Sequence, residues 1–468
     1  MPIEQQHRSS IPDTPCSRDS DFDYDVAIAG AGISGATLAA ALKDSGLKVA
    51  LIDPQPQSIV AARQQVYAIT LLSGDIFQAI GVWDKILPKI TAFKEIRLSD
   101  ADYPGIVQFL PKDLGRERLG YGAEHETLLS ALQEFLNECS HITWICPAEV
   151  TNVDYQKDGA VIETRFIPSA PGLARKSSNT EVAREVGTEF AREVGTEVGT
   201  EVETEVRRFR VRLLVAADGK KSAIRKAAGI STKGWKYWQS CITTKVKPEK
   251  PHQNTAYERF WPSGPFAILP LTGNRCNIVW TAPHAEAKAL AGLDDASFLK
   301  ELKKRYGDRM GNLELLGPRF VFPVQVMQSD RYVKPRLALI GDAAHCCHPV
   351  GGQGLNLGIR DAGAIAQVLT IAHQQGEDIG SQAVLERYQR WRQLENLTIL
   401  GFTDFLDRMF SNNWLPATIV RRLGLSAMQN LAPIKQYFLR LMTGQTGRHP
   451  ELVRQLVRGR SLANRSES

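Results

Sequence analysis

The sequence predicts an α/β fold in which a Rossmann-like nucleotide-binding domain is interleaved with a mixed β-sheet domain and followed by a helical C-terminal part. Near the N-terminus, an apolar run, a glycine-rich turn and an Ala-rich segment follow one another in the order of a βαβ unit, which implies a parallel sheet. Segments that resemble antiparallel strands lie between the later strands and helices of this α/β pattern. Beyond residue 383 the apolar spacing is mostly helical.

The predicted first sheet consists of apolar runs joined by helices. Its strands are expected at 24–30, 47–52, 210–217 and 336–341. Its helices are expected at 33–45, at 125–139 and from the glycine-rich chain after 341 to about 372. We expect antiparallel strands of the second domain at 94–110, 240–247, 256–271 and 276–281.

These elements divide the 468 residues into five parts. We expect a disordered leader at 1–23, a discontinuous nucleotide-binding domain at 24–93, 120–239 and 320–375, a substrate domain at 94–119 and 240–319, a helical region at 376–445 and a basic tail at 446–468. Residues 174–206 are predicted to be an acidic surface loop, in which REVGTEFA is followed by REVGTEVG. Biased insertions of this kind are more often tolerated than functional.

Composition narrows the class of protein. With 43% hydrophobic and 23% charged residues the chain is globular, and no run of eighteen apolar residues predicts a transmembrane helix. The seven cysteines are scattered and form no Cys-x-x-Cys pair, which favours reduced thiols and a cytoplasmic location.

The net charge of +6 hides an asymmetry along the chain. Residues 177–206 carry eight Glu and two Arg, whereas residues 421–468 carry nine basic residues and two Glu. The basic end suits nucleic acid or an anionic membrane surface, and a solvated surface explains it equally well. We expect no nucleic-acid partner and a peripheral membrane contact through residues 433–442, where four apolar residues lie near one helical face: Ile434, Tyr437, Phe438 and Leu441. The sequence indicates no oligomeric state.

The first chemical signal is GAGISG at 30–35, placed between a strand and a helix. The first glycine permits a tight turn, the second lets the backbone approach a pyrophosphate, and the third lets the helix pack on the strand. Asp53 ends the next strand, where an acid holds ribose hydroxyls. A plain glycine turn is the alternative, which this context disfavours. The predicted nucleotide contacts are Gly30, Gly32, Ile33, Ser34, Gly35 and Asp53.

Two further motifs indicate which dinucleotide the first motif binds. Gly341 and Asp342 follow a strand far downstream and resemble the flavoprotein site for the ribityl chain of FAD. An extended dinucleotide such as FAD would need both motifs. Between them, AADGKKSAIRK at 216–226 resembles the Asp-Gly motif of flavoprotein hydroxylases, which is thought to serve both FAD and NAD(P)H. Its matching residues are Asp218, Gly219, Ser222 and Arg225.

Together these motifs resemble the para-hydroxybenzoate-hydroxylase superfamily of flavin monooxygenases. Within it, HPVGGQGLNLGIRD at 348–361 is similar to the signature of the ubiquinone-biosynthesis aromatic hydroxylases, and RFWPSGPFAILPL at 259–271 is similar to their substrate-domain strand. The resemblance covers residues 24 to about 445, without the acidic repeat. It implies an FAD-binding Rossmann-like domain of the GR2 type interleaved with a mixed-sheet substrate domain.

The resemblance also implies roles for the glycine-rich loop. A helix starting near Gly354 would direct free N–H groups and its positive end toward the reduced, anionic flavin. The candidate catalytic residues of this flavin and oxygen loop are Pro349, Gly351 and Gly352, and the loop's candidate cofactor contacts are Gly354, Leu355 and Asn356. Where the family has an Arg, this chain has Gln65, and Arg63 is the candidate substitute. His125 stands where the family often has an Arg or Gln before the Leu-rich helix, so Arg63 and His125 are both candidate cofactor contacts.

The function implied is an FAD-dependent monooxygenase that uses NAD(P)H and O2 to hydroxylate a polyprenylated phenol on the way to a ubiquinone-type or plastoquinone-type quinone. Two alternatives remain: a flavin-dependent isoprenoid reductase or epoxidase, and a non-catalytic FAD-binding scaffold. Electrons could also come from a ferredoxin-type partner.

Other potential ligands have simpler explanations. His345 to His348 offer four consecutive metal ligands, but adjacent residues cannot readily converge on one ion, so no metal is predicted. Trp235, Trp238 and Trp261 suit either a substrate pocket or core packing.

Overall fold

A computed structural model describes residues 21–100, 105–167 and 205–456. The predictions for the leader up to residue 20, for nearly all of the acidic repeat and for the last twelve residues of the basic tail lie outside the described residues.

The described strands, in chain order, are β1 (Tyr24–Ala29), β2 (Val49–Ile52), β3 (Val66–Ile69), β4 (Thr91–Ala92), β5 (Glu95–Asp100), β6 (Ile106–Phe109), β7 (Tyr121–Glu124), β8 (Ile142–Ile145), β9 (Ala148–Tyr155), β10 (Ala160–Phe166), β11 (Val206–Ala216), β12 (Thr232–Pro248), β13 (Thr255–Trp261), β14 (Gly264–Leu271), β15 (Arg275–Pro283), β16 (Leu313–Leu315), β17 (Phe320–Ser329), β18 (Val333–Lys334), β19 (Leu337–Leu339) and β20 (His345–Cys346). The described α-helices are α1 (Ile33–Ala41), α2 (Gln57–Ala61), α3 (Leu71–Ile80), α4 (Trp83–Ile86), α5 (His125–Asn137), α6 (Ala223–Ala227), α7 (His284–Ala291), α8 (Asp295–Tyr306), α9 (Gln353–Gln374), α10 (Gln382–Phe410), α11 (Leu415–Asn430) and α12 (Ala432–Met442).

The first sheet is the nucleotide-binding sheet that the sequence predicts. Its strands β19, β11, β1, β2 and β8 run parallel in that spatial order, with β18 added antiparallel at one edge. A hairpin of β9 and β10 pairs with β11. Strands β1 and β2 are almost wholly apolar because helices cover both faces of a parallel sheet. The carboxyl ends of these strands therefore meet at one edge, where ligands of such sheets bind.

The second sheet has nine strands, and its main path runs β20-β17-β12-β15-β14-β13-β5-β6. One face packs on α7 and α8 around Trp280 and Phe298. The other face packs on α10, α11 and α12, and this second core includes Val350 of the glycine-rich loop. The sheet therefore separates a closed core from a core that borders the predicted flavin loop. Strands β3, β7 and β4 form a third, three-stranded sheet.

Four details differ from the sequence-based expectations. Strands β5 and β13 pair in parallel, because the chain passes through the first domain between them and returns in the same direction. The expected boundary at 239/240 falls inside β12, and β17 at 320–329 belongs to the second sheet because it pairs with β12. Helix α1 ends at Ala41. No helix in the described ranges is both long and apolar enough to cross a membrane.

Candidate functional site

The first glycine turn forms an open cradle at the end of β1. At Gly30 the backbone has a φ of +108°, and a Cβ there would lie 2.3 Å from the carbonyl oxygen of Ala217. A Cβ on Gly35 would lie 2.0 Å from the carbonyl oxygen of Gly30. A Cβ on Gly32, by contrast, would meet nothing within 4 Å. Two of the three glycines are therefore required by packing, and Gly32, the N-cap of α1, faces empty space where a phosphate fits.

Asp53 lies beside this cradle, and its carboxylate is buried. Its oxygens accept hydrogen bonds from the backbone N–H of Ala31 and of Gln55, each at 2.9 Å. The carboxylate thus holds the glycine turn against β2. Because each oxygen has a second lone pair, the predicted bond to a ribose hydroxyl is compatible with this geometry and stays a prediction.

The second motif lies where α1 and α9 meet. Gly341 has a φ of +57°, and a Cβ there would lie 3.1 Å from the Oγ of Ser34. A Cβ on Gly358 of α9 would lie 2.4 Å from the same oxygen. Ser34 therefore acts in helix packing, which the sequence did not indicate. Asp342 is exposed, although desolvation by the surrounding protein raises its pKa.

A buried ionic cluster holds this motif from below. The fully buried Asp361 accepts hydrogen bonds from the backbone N–H of Gly341 at 3.1 Å, from Arg392 at 2.8 Å and from Asn396 at 3.0 Å. The Nε2 atom of His345 lies 2.6 Å from the same carboxylate. Burial opposes ionisation of Asp361, but His345 and Arg392 hold its pKa at about 2. Asp361, the last residue of the signature at 348–361, thus fixes the turn at Gly341.

The Asp-Gly motif supplies an acceptor without a partner. Arg225 is buried and donates to the carbonyl oxygens of Ala343 at 2.7 Å and Lys220 at 2.9 Å, which joins this motif to the second one. The Oδ1 atom of Asp218 is buried and has no hydrogen-bond partner among the described residues. Burial raises the pKa of Asp218. A ligand with hydroxyl donors would satisfy this acceptor, whereas Arg225 acts by positioning.

The glycine-rich loop turns sharply into α9. Gly351 and Gly352 have φ values of +66° and +61°, so two successive residues are left-handed before the helix begins at Gln353, one residue earlier than expected. Pro349 begins this turn. The first-turn N–H groups of α9, which include that of Gly354, have no partner within the helix and carry its positive dipole end. This geometry suits an anionic ring edge.

Asn356 fixes the loop through its side chain. Its Oδ1 accepts from the N–H of Thr70 and the hydroxyl of Ser73, and its Nδ2 donates to the carbonyl oxygens of Ala68 and Gly352, all within 2.7–2.8 Å. All four capacities of the amide are used. The predicted cofactor contact of Asn356 is therefore not available to the side chain, which positions the loop. Leu355 packs partly buried against the first core.

The corner where the sequence lacks the expected Arg contains a tyrosine. The imidazole of His125 is buried, with Nε2 at 3.0 Å from the carbonyl oxygen of Val60 and Nδ1 at 3.2 Å from the hydroxyl of Tyr67. Burial lowers the pKa of His125 to about 4, so the ring is neutral. Arg63 bonds to Gln55, and its charge acts on both Tyr67 and His125. Sequence reasoning missed Tyr67, and only its place in the VYAIT strand offered a signal.

The side chains of the four consecutive residues from His345 to His348 do not converge on one point. His345 faces Asp361, whereas His348 lies 3.5 Å from Asp407 and 5.0 Å from the ring of Tyr237. No group of three or more His, Cys, Asp or Glu side chains within the described ranges suits a metal ion. The tryptophans also separate: Trp235 and Trp238 are exposed, and Trp261 stacks with arginines on the closed face of the second sheet.

The site fits an extended dinucleotide. An open phosphate cradle, an unpartnered buried carboxylate oxygen and a second helix N-terminus lie along the same edge of the first sheet. Residues 23–103 and 171–398, more than half of the chain, match the family described as "FAD binding domain". The protein is therefore a member of the FAD-binding class. Bound FAD supplies the electron transfer and oxygen activation that side chains lack.

Similar proteins indicate which family within the FAD-binding class this chain resembles. An uncharacterised protein of Synechocystis is 47% identical over 445 residues, covering 95% of this chain and 98% of the relative. A protein named ubiquinone hydroxylase, from Rhodospirillum rubrum, is 34% identical over 448 residues, 95% of each chain. The crystal structure of p-nitrophenol 4-monooxygenase from Pseudomonas putida shares the fold, with a TM-score of 0.69 over 92% of this chain and 99% of that one, at 16% identity.

The chain belongs to the ubiquinone-biosynthesis aromatic hydroxylase family of FAD-dependent monooxygenases. NAD(P)H is the electron donor typical of this family.

Proposed function

We propose that this protein hydroxylates the aromatic ring of a polyprenylated phenol in the synthesis of a ubiquinone-type or plastoquinone-type quinone, with NAD(P)H and O2 as co-substrates, while it lies on an anionic membrane. The relative named ubiquinone hydroxylase supports the pathway class. The observation that carries the substrate class is the apolar surrounding of the loop at 349–354.

The loop packs among large apolar groups. Val350 is buried in one core with Phe260 of β13, Phe410 of α10 and Leu439 of α12. The rings of Phe260 and Phe410 stack with centroids 4.0 Å apart. A polar aromatic acid would lose hydration here without compensation, whereas a lipophilic phenol would not. The protein's contribution is then to orient the ring and to exclude water.

The last three helices have an apolar outer side as well as an apolar inner side. Leu406, Leu425 and Leu439 face the core. On the outside, exposed apolar residues recur at helical spacing: Leu394, Leu397 and Phe405 on α10, Leu415, Ile419 and Leu423 on α11, and Ile434 and Tyr437 on α12, with Trp414 before α11. We call these nine residues the outer stripe. Helices that are apolar all round need a cover on both sides.

Charge favours a lipid cover. From residue 408 to residue 450 the sequence contains six Arg and Lys but neither Asp nor Glu. An apolar stripe among basic residues, with an exposed Trp and Tyr, is the composition of interfacial helices that bind anionic lipid.

The structure corrects the apolar face predicted at 433–442, and it buries one basic residue of the end at 421–468. On α12, Ile434 and Tyr437 are exposed, but Leu441 is buried and Phe438 packs on the core. Arg421 is also buried, where it pairs with Asp100 at 2.9 Å. It lies on the inner face of α11, one turn from Leu425, so it cannot meet a lipid headgroup.

The test of the reaction is a profile of quinone intermediates in a strain that lacks this protein. We expect a phenol or quinol that lacks one ring oxygen to accumulate, and the intact gene to restore the product. Product that forms equally without oxygen would indicate a reductase, which would overturn the hydroxylation. Failure of NAD(P)H to reduce the bound flavin in stopped-flow mixing would support a scaffold.

The test of the membrane contact is flotation with anionic vesicles. Changing Ile419 and Leu423 to Ser should reduce vesicle binding about tenfold or more. The change removes two side chains that the membrane would bury, and each burial contributes roughly 1.5–3 kcal/mol. The matched control is Ile59→Ser, since Ile59 is 53% exposed on the first domain. Binding of the wild type should weaken with added salt. Absence of binding at low salt, or an equal loss with the control, would contradict the proposal.

A further inference from the structure

Strand β13 presents different residues to the two cores. Tyr257 and Trp261 pack on the closed core with α7 and α8. Ala256 and Phe260 point to the opposite side and pack in the core that contains Val350. Because side chains alternate along a strand, Glu258 lies on this second side, between two buried apolar residues. An acidic residue at that position needs a reason.

The Glu258 carboxylate faces the core that contains Val350 of the glycine-rich loop, since its face of β13 also carries Ala256 and Phe260. Its cross-strand neighbours are Ala267 on β14 and Leu98 on β5, neither of which can bond to it. Burial raises the pKa of Glu258 to about 8, and the backbone N–H of the nearby Gly351 opposes that rise.

The groups facing Glu258 from the surrounding elements are few. Leu406 and Phe410 of α10, Leu425 of α11 and Leu439 of α12 fill the same core and are apolar. The ionisable groups near it are the buried thiol of Cys241 on β12, whose pKa is raised to about 12 by burial, with a contribution from Glu258, and the Asp100–Arg421 pair, in which Asp100 of β5 lies opposite Phe260. Because Arg421 is paired with Asp100, no cation among the described residues pairs with Glu258. A hydroxyl group of a ligand could therefore donate a hydrogen bond to this carboxylate.

We propose that Glu258 binds the ring hydroxyl of the phenolic substrate and accepts its proton during hydroxylation. This inference rests on the proposed function. In the step, the O–H bond of the ring hydroxyl breaks, the proton moves to a carboxylate oxygen of Glu258, and the electron pair stays on the ring oxygen. No oxidant or reductant is consumed. The electron-rich ring that results is the better acceptor of an electrophilic oxygen, and it lies beside Gly351, where the flavin ring is expected.

The position of Glu258 also explains why the sequence places an acid on an otherwise apolar face. A carboxylate with a depressed pKa would be too weak a base, whereas one that titrates near neutral pH is suited to exchange a proton with a phenol. A purely structural acid would be paired with a cation, as Glu124 is with Lys245 and Arg275 in the same region.

The experiment measures binding rather than turnover. FAD-loaded protein is titrated with 2-prenylphenol and, separately, with its methyl ether, and the perturbation of flavin absorbance gives the Kd from about pH 6 to about pH 9. In this range the phenol itself stays largely neutral. For the wild type, affinity for the phenol should rise about five- to tenfold as pH passes through about 8, since a carboxylate accepts a stronger hydrogen bond than a carboxylic acid does. Affinity for the methyl ether should not change.

Variants separate the role of Glu258 from general effects. In Glu258→Gln the pH dependence should vanish, while FAD content and affinity for the methyl ether stay as in the wild type. In Glu258→Asp the pH dependence of phenol binding should persist. Glu301→Gln, on the exposed side of α8, should behave as the wild type. If the phenol binds with the same pH dependence in the wild type and in Glu258→Gln, the inference is overturned and the proposed substrate class stands. If neither compound perturbs the flavin at any pH, the substrate class fails as well.

Discussion

The two large sheets carry their functions by different means. At the edge of the first sheet, glycines touch backbone at distances that exclude any side chain, and the buried Asp361 is paired with Arg392. On the inner face of the second sheet, Glu258 lies among apolar side chains in the core that contains Val350 of the flavin loop, and no cation among the described residues pairs with it. The cofactor side is therefore rigid and sterically specified, whereas the substrate side retains an acid whose environment costs stability. Substitutions on the two sides should differ in sign as well as in size.

The largest effect is expected within the glycine turn. Gly35→Ala places a Cβ 2.0 Å from the Gly30 carbonyl oxygen and should destabilise the fold by about 4 kcal/mol or more. Gly32→Val should leave the fold of the apoprotein intact, because no atom lies within 4 Å, but it should abolish FAD retention by filling the phosphate cradle. Thermal unfolding with and without FAD compares the two. Equal loss of fold in both variants would show that the cradle is structural.

Asp361→Asn should cost about 3 kcal/mol of folding stability, since it removes the fully buried carboxylate and leaves the buried Arg392 with only the partly exposed Glu395 as an acidic partner. The pKa of Asp361 in the fold, about 2, is below its ordinary value of 3.8, so its contribution is present above about pH 4 and is lost as pH falls toward 2. Denaturant unfolding at pH 7 and near pH 3 checks this. A difference between wild type and variant that does not shrink at low pH would argue against an ionised Asp361.

Glu258→Gln should increase the free energy of unfolding, whereas Asp361→Asn decreases it. The folded pKa of about 8 exceeds the ordinary value of 4.5, so the wild type loses stability as pH rises from about 4.5 to about 8. The variant should therefore be more stable at pH 8 by about 1–3 kcal/mol, with a smaller gain at pH 5. Urea unfolding of the two apoproteins measures the gain. A less stable variant at pH 8 would mean that Glu258 is a structural group.

The smallest effect is expected from replacing residues 168–204 with a short turn. The flanking strands β10 and β11 already pair as a hairpin, with Arg165 opposite Val206, so the sheet does not require the intervening residues. FAD content and the midpoint of thermal unfolding should stay within experimental error of the wild type. Loss of flavin on deletion would assign the acidic repeat a role in the site.

The sequence predicted the first sheet well because its signals are local. The turn at 30–35 and the loop at 349–354 combine a strand end, glycines and a helix start within a few residues. The parallel pairing of β5 with β13 and the place of β17 in the second sheet depend on contacts between distant segments, which no local pattern reveals. The roles of Asn356 and Ser34 were missed for the same reason: their partners, Thr70 and Gly341, are hundreds of residues away.

The position of Glu258 shows the same limit from the substrate side. Its neighbours in the RFWPSGPFAILPL stretch indicated a substrate-domain strand, but an acid before that stretch reads as a solvated residue until the face of the strand is known. The exposed face of the last two helices was also predicted only in part, since Arg421 and Leu441 turn inward on their helices.

Isotope labelling is the most direct test of ring hydroxylation at the loop near Glu258. FAD-loaded protein is incubated with NAD(P)H and 2-prenylphenol under oxygen-18 gas, and the product is analysed by mass spectrometry. We expect a product that carries one labelled oxygen atom on the ring, with one NAD(P)H oxidised for each product formed. A product without label, or one that forms equally in the absence of oxygen, would contradict the account.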